Sequence, residues 1–102
     1  TTLGLIATNA SLSKSQLKKV AEMAHDGMAR AIRPIHTPFD GDTVFAVSMP
    51  GAGADLTTGA EPRLNSIGIA AAQVLELAIV DAVRSATSVE GVIASCDWLT
   101  SQ

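Results

Sequence analysis

Hydrophobic positions fall into four blocks along the chain, and the blocks differ in period. In residues 2–9, Leu3, Leu5 and Ala7 alternate with Gly4, Ile6 and Thr8, and both sets are largely apolar. That pattern predicts a strand covered on both faces. Gly4 within it permits close approach of another backbone or a ligand. A helix start follows at Ser13, with Gln16 three residues on as a capping box and Leu12 and Leu17 at the staple positions. Leu17, Val20 or Ala21, Ala24, Met28, Ala31 and Ile32 then recur at helical spacing, while Lys14, Lys18, Lys19 and Glu22 occupy the opposite, solvated face. Gly27 inside this helix marks tight packing against a neighbouring layer. Pro34 ends it.

Residues 43–49, Thr-Val-Phe-Ala-Val-Ser-Met, carry β-branched and aromatic side chains without a breaker and predict a second strand. Between helix and strand, residues 34–42 form a connection with turn chemistry at Asp40-Gly41. Residues 50–63, with two prolines and three glycines, are expected to be a surface loop. From about Asn65 to Ala86 a second helix is apolar nearly all round, broken chiefly by Gln73, Glu76, Asp81 and Arg84. Such a helix is expected to be buried. The tail, 87–102, holds a short apolar run at Val92–Ala94 and is expected to be irregular. The order β-α-β-α gives two strands with two covering helices, an α+β arrangement. Two strands alone are marginal, so the sheet is expected to be completed elsewhere.

The 102 residues fit one small domain. Aromatic residues make up only 3%, so the apolar mass is mostly Ala, Val, Leu and Ile. Small side chains form thin layers, which points to a large partner surface. A net charge of −3, with basic residues clustered only at Lys14, Lys18 and Lys19, argues against a nucleic-acid groove. Cys96 is the only cysteine, which excludes an intrachain disulfide and a thiolate metal cluster, and it fits a reducing, cytoplasmic compartment. No run is read as reaching the about 18 apolar residues of a membrane helix.

Candidate chemistry concentrates at the chain start. Thr1 offers a hydroxyl and an α-amine in one residue, and the amine, with an ordinary pKa of about 7.7–8.0, can serve as general base for its own hydroxyl. The alternative is that Thr1 marks a fragment boundary or an expression scar. Asp40 and Asp42, just before the second strand, would lie close to the Thr1 amine if the two strands pair. Read alone, Asp40-Gly41-Asp42 is more simply a solvated turn. His25, Asp26, His36, Asp40 and Asp42 are metal-ligand types, but none has the spacing of a known metal motif. No serine-nucleophile elbow occurs.

Three segments, Thr1–Ala10, Ala24–Ala31 and His36–Ala46, in this order, together resemble the DmpA-type aminopeptidases. These are N-terminal-nucleophile hydrolases that include β-peptidyl aminopeptidases and nylon-oligomer hydrolases, and the likeness extends over most of residues 1–86. It is nearest to the threonine-type, nylon-hydrolase branch that carries the Asp-Gly-Asp segment; the DmpA branch proper uses serine and differs there. The resemblance implies that residues 1–102 are the β chain, a single domain fragment cut autocatalytically from a precursor on the N-terminal side of Thr1. It implies an α-β-β-α layered sandwich completed by the precursor's α chain, with αβ heterodimers assembling further. Thr1 would be the nucleophile, and Asp40 and Asp42 match acidic positions near it. An amide-bond hydrolase acting on peptides or ω-amino acid oligomers is expected, with no metal or organic cofactor and neither nucleic acid nor membrane as partner. The rival readings are a non-catalytic assembly subunit, and another N-terminal-threonine family such as the asparaginase-like amidases, whose glycine-rich Thr-x-Gly pattern Thr1-Thr2-Leu3 lacks.

Overall fold

The computed structural model describes residues 1–49 and 60–102. Its elements are β1 (Leu3–Thr8), α1 (Lys14–Ala31), β2 (Thr43–Ser48), α2 (Ala60–Ser85) and α3 (Ser95–Thr100). β1 and β2 pair in parallel, Leu3 opposite Thr43 through Thr8 opposite Ser48. A parallel pair needs a crossover, and α1 supplies it.

Local sequence explains where α1 begins and ends. The Ser13 side chain accepts the Gln16 N–H, and the Gln16 side chain accepts the Ser13 N–H in return, completing the capping box. At the other end Ile32 has extended dihedrals and its N–H closes the last turn on Met28, two residues before Pro34. Lys18 and Lys19 pair with Glu22 on the solvated face at 4.0 and 3.7 Å. Such exposed pairs contribute little to stability.

The core lies between the two strands and a layer made by α1 and α2. Ile6, Val20, Ala24, Met28, Val44, Ala71 and Leu75 form one buried cluster. Gly27 meets α2 where a side chain could not fit, since a Cβ there would stand 2.2 Å from the Ala72 carbonyl oxygen. Small residues at this crossing let the two helix backbones touch.

Within this chain β1 is covered on one face: Gly4 and Ile6 are buried, whereas Leu3 and Leu5 are 71% and 63% exposed and join Phe45 and Val47 on an open apolar face. Other expectations are corrected. α2 is not buried all round; Ala71, Ala72 and Leu75 face α1 and the sheet while Ile69, Val74, Leu77 and Val83 face outward. Its stretch Arg63–Ser85, 23 residues long with an 18-residue window of mean hydropathy 1.7, also has the length and composition to cross a membrane, contrary to the reading that no run does. In this fold that helix is a covering layer packed on α1. Finally, the tail is not wholly irregular: α3 forms there, and Val89 and Val92 exchange two backbone hydrogen bonds at 3.0 and 2.9 Å. Of the loop expected at 50–63, residues 50–59 lie outside the described residues, and 60–63 already belong to α2. Pro62 falls in that helix's first turn, where its missing N–H has no intrahelical partner to lose.

Candidate active site

Parallel pairing settles which residues meet. Because β1 and β2 start at the same edge of the sheet, the residues just before each strand become neighbours. Thr1 and Thr2 precede β1, and Asp40, Gly41 and Asp42 precede β2. The ladder continues one step beyond Leu3, with Thr43 N–H donating to the Thr2 carbonyl at 2.9 Å.

The two aspartates then do different work. Asp40 Oδ1 accepts from the Thr1 α-amino group at 3.0 Å, and its other oxygen accepts from the Thr37 hydroxyl at 2.5 Å. The Asp40 N–H also donates to the Thr37 carbonyl at 3.0 Å, so residues 37–40 close into a tight turn that aims the carboxylate. Asp42 bonds one residue further along: its Oδ1 accepts the Thr2 N–H at 2.7 Å. Its Oδ2 accepts twice from His36, from the backbone N–H at 3.0 Å and from ring Nδ1 at 2.8 Å. Thr43 Oγ1 ties back to the Gly41 carbonyl at 2.9 Å. The Thr1 side chain is 56% exposed and Asp40 28%, whereas Asp42 is 1% exposed. The Thr1–Asp40 end is therefore open, and Asp42 beneath it is shielded.

These contacts set the ionisation of the site. The hydrogen bond and charge of Asp40 raise the pKa of the Thr1 amine above its ordinary value, and Asp42 adds its charge from further away. Asp40 is held below the usual carboxylate range, first by the Thr37 hydroxyl and then by the amine. For Asp42, burial pushes the pKa up, but hydrogen bonds from His36 and Thr2 prevail and leave it lowered. At neutral pH the site thus holds two carboxylates and an ammonium. Once that ammonium loses its proton, an amine and a hydroxyl on one residue can act as base and nucleophile.

Of the residues read as candidates, Thr1, Asp40 and Asp42 come together here. His36 and His25 join them as structural neighbours: His36 Nε2 lies 3.3 Å from His25 Nδ1, with ring centroids 4.9 Å apart. Asp26 points elsewhere, into a cleft between α1 and α2 lined also by Met23, Arg30, Gly68 and Gln73. Among the described residues, no group of three or more His, Cys, Asp or Glu side chains gathers as a metal-ion site. The sequence marks His36 as a metal-ligand type or a loop residue, and its bond to Asp42 emerges only in the fold. The available signals were few: His25 falls between buried Ala24 and Met28 on α1, and His36 sits in the same connection as Asp42.

Comparison with known proteins places this geometry in a lineage. Residues 1–95 match the model for peptidase family S58. An uncharacterized aminopeptidase of Mycobacterium bovis is 43% identical over 99 residues, which cover 90% of this chain and 29% of that protein. An uncharacterized aminopeptidase of Mycobacterium leprae is 42% identical over 103 residues, covering 94% of this chain and 28% of its own length. A 6-aminohexanoate-oligomer endohydrolase of Kocuria sp. is 35% identical over 89 residues, covering 82% and 25%. The chain spans about 29% of the length of the first of these relatives. The match runs from Thr1 through the Asp40–Asp42 segment and both long helices, and on that ground the chain belongs to peptidase family S58, the DmpA-type aminopeptidases.

Proposed function

We propose that this chain is the nucleophile-bearing part of an amide-bond hydrolase, with Thr1 exposed by autocatalytic cleavage of a longer precursor. The observation that carries the reading is the 3.0 Å contact between the Thr1 α-amino nitrogen and Asp40, just ahead of β1, with the following residue, Thr2, fixed by Asp42. The aminopeptidase and oligomer-endohydrolase names of its relatives support a peptide or ω-amino acid oligomer as substrate.

In this reading the neutral Thr1 amine accepts the hydroxyl proton as Oγ1 attacks the substrate carbonyl. The tetrahedral intermediate collapses, the amine returns the proton to the leaving nitrogen, and an acyl ester remains on Oγ1. Water attacks that ester with the same amine as base, which frees the acid and regenerates Thr1. Asp40 orients the amine and stabilises its protonated form between the two transfers. No step calls on a metal or organic cofactor. Donors for the oxyanion would come from the rest of the protein.

The same reading gives the open apolar face a purpose. Leu3, Leu5, Phe45 and Val47 would pack against a second sheet from the precursor's other chain, forming an α-β-β-α sandwich, and the resulting heterodimers would assemble further. A purely structural subunit would use the same surface but would not need Thr1. The test is Thr1→Ala in the full-length precursor, followed by electrophoresis and by hydrolysis of aminoacyl anilides and 6-aminohexanoate oligomers. One uncut, inactive chain is expected. Cleavage at the same bond in the alanine variant would reject the proposal.

A further inference from the structure

We infer that His36, braced by His25, is a positioning residue for Thr1 that acts through Asp42; this rests on Thr1 being the nucleophile. Asp42 is the hub. Its side chain is 1% exposed, and both oxygens are committed: Oδ1 to Thr2 N–H and Oδ2 to two donors of His36. One residue thus supplies the whole lateral hold on the carboxylate that fixes the peptide plane behind Thr1.

The backbone at His36 is built for this. Its φ is +57°, and among the described residues it is the one non-glycine at positive φ. Side chains enter that region rarely. Here it lets the N–H and the ring Nδ1 of one residue converge on the same oxygen. It also sends the chain directly into Thr37, whose hydroxyl holds Asp40. Residues 36 and 37 therefore grip the two aspartates from one bend.

Proton bookkeeping fixes the ring. A carboxylate only accepts, so His36 Nδ1 carries the hydrogen donated to Asp42. With His36 neutral, Nε2 is an acceptor, and His25 Nδ1–H must donate to it across 3.3 Å. If His36 is protonated, that one bond reverses and the bond to Asp42 is unchanged. His25 stands on α1, so the chain of contacts His25–His36–Asp42–Thr2 ties the crossover helix to the nucleophile. No member of that chain needs to touch substrate.

The test uses the full-length protein with His36→Gly, His36→Asn, His25→Phe and Asp42→Asn. Glycine keeps the bend and the backbone bond but removes the ring; asparagine tolerates the bend and restores a side-chain donor. For a misplaced nucleophile, His36→Gly is expected to lower kcat about 10–100-fold with KM nearly unchanged. His36→Asn should recover most of that loss, and His25→Phe should show a smaller fall in kcat. His36→Gly combined with Asp42→Asn should be no worse than Asp42→Asn alone, because the two act in series. Wild-type kcat in His36→Gly, a change confined to KM, or additive losses in the double variant would overturn the inference. So would equal failure of His36→Gly and His36→Asn to cut and fold. Those results leave the Thr1 reading standing, since Thr1→Ala tests it separately.

Discussion

Replacing Gly27 with alanine has an unusual expected sign. In an exposed helix interior that change stabilises by about 1 kcal/mol, because glycine loses more conformational freedom on folding. Here a Cβ would lie 2.2 Å from the Ala72 oxygen, 3.0 Å from Glu76 N and 3.1 Å from Ala72 C. All three are backbone atoms of α2, so no rotamer change can relieve them. Restoring an ordinary 3.4 Å separation requires α2 to retreat by 3.4 − 2.2 = 1.2 Å. Gaps of about 0.5–1 Å already forfeit a quarter to a half of the dispersion energy between the separated atoms. Overpacking costs of about 1–3 kcal/mol are usual, and a backbone clash falls at the upper end. Setting about 3 kcal/mol against the about 1 kcal/mol propensity gain leaves about 2 kcal/mol of destabilisation. For a unit of this chain's 102 residues, that corresponds to a fall in Tm of about 8–16 °C, and to proportionately less in a longer protein. Thermal unfolding of the intact protein at fixed concentration is the assay, because assembly shifts apparent Tm. Gly68→Ala is the control: its Cβ would meet Met23 Sδ at 2.2 Å and Cε at 2.5 Å, the far end of a side chain that can turn aside. A rise in Tm for Gly27→Ala, or a larger loss for Gly68→Ala, would refute the reasoning.

Three further outcomes are expected. Asp40→Asn removes the charge that raises the Thr1 amine's pKa, so the acid limb of the kcat/KM profile should move to lower pH; a limb that stays or rises would contradict the assignment. The same ion pair gives a pH dependence of stability with two edges. Asp40, with its lowered pKa, contributes above the ordinary carboxylate pKa of about 3.9 and loses this as pH falls through its folded value. The amine, with its raised pKa, contributes below about 8 and loses this as pH rises through its folded value. Tm against pH should therefore fall away less steeply on both sides in Asp40→Asn. Phe45→Lys, at a side chain 58% exposed on the open sheet face, should prevent association with the remainder of the protein; an unchanged elution volume in size-exclusion chromatography would argue against a second sheet there.

How much was legible in the sequence depended on how local the physics is. The Ser13–Gln16 cap, the stop before Pro34 and the β-type run at 43–48 involve residues within a few positions of one another, and each reads directly. α3 escaped because it is six residues long and its N-cap, Ala94, offers no side-chain bond. The early start of α2 is hidden in a linear scan, where Pro62 reads as a breaker, although a first turn tolerates it. Exposure of Leu5 or Leu77 is not a property of the segment at all, since it depends on what else packs there. At the site, the spacing of Asp40 and Asp42 was visible, and so was a reason to bring them to Thr1. Their division of labour was not. It follows from the strand register and from a left-handed residue at 36, neither of which has a composition signature.

The parallel pairing of β1 and β2 gives the sheet two rims with different contents. Among the described residues, what meets Thr1 enters from the edge where both strands begin, whereas residues 9–13 and Met49 lie at the edge where both strands end. Ser48 holds that far edge through its hydroxyl bond to the Ala10 carbonyl. A peptide grafted at exposed Ser11 would therefore lengthen the molecule at the far end of a six-residue strand from the amine, with buried Ala10 and core-packed Leu12 retained on either side. The fold offers an engineer one end to decorate and one to leave alone.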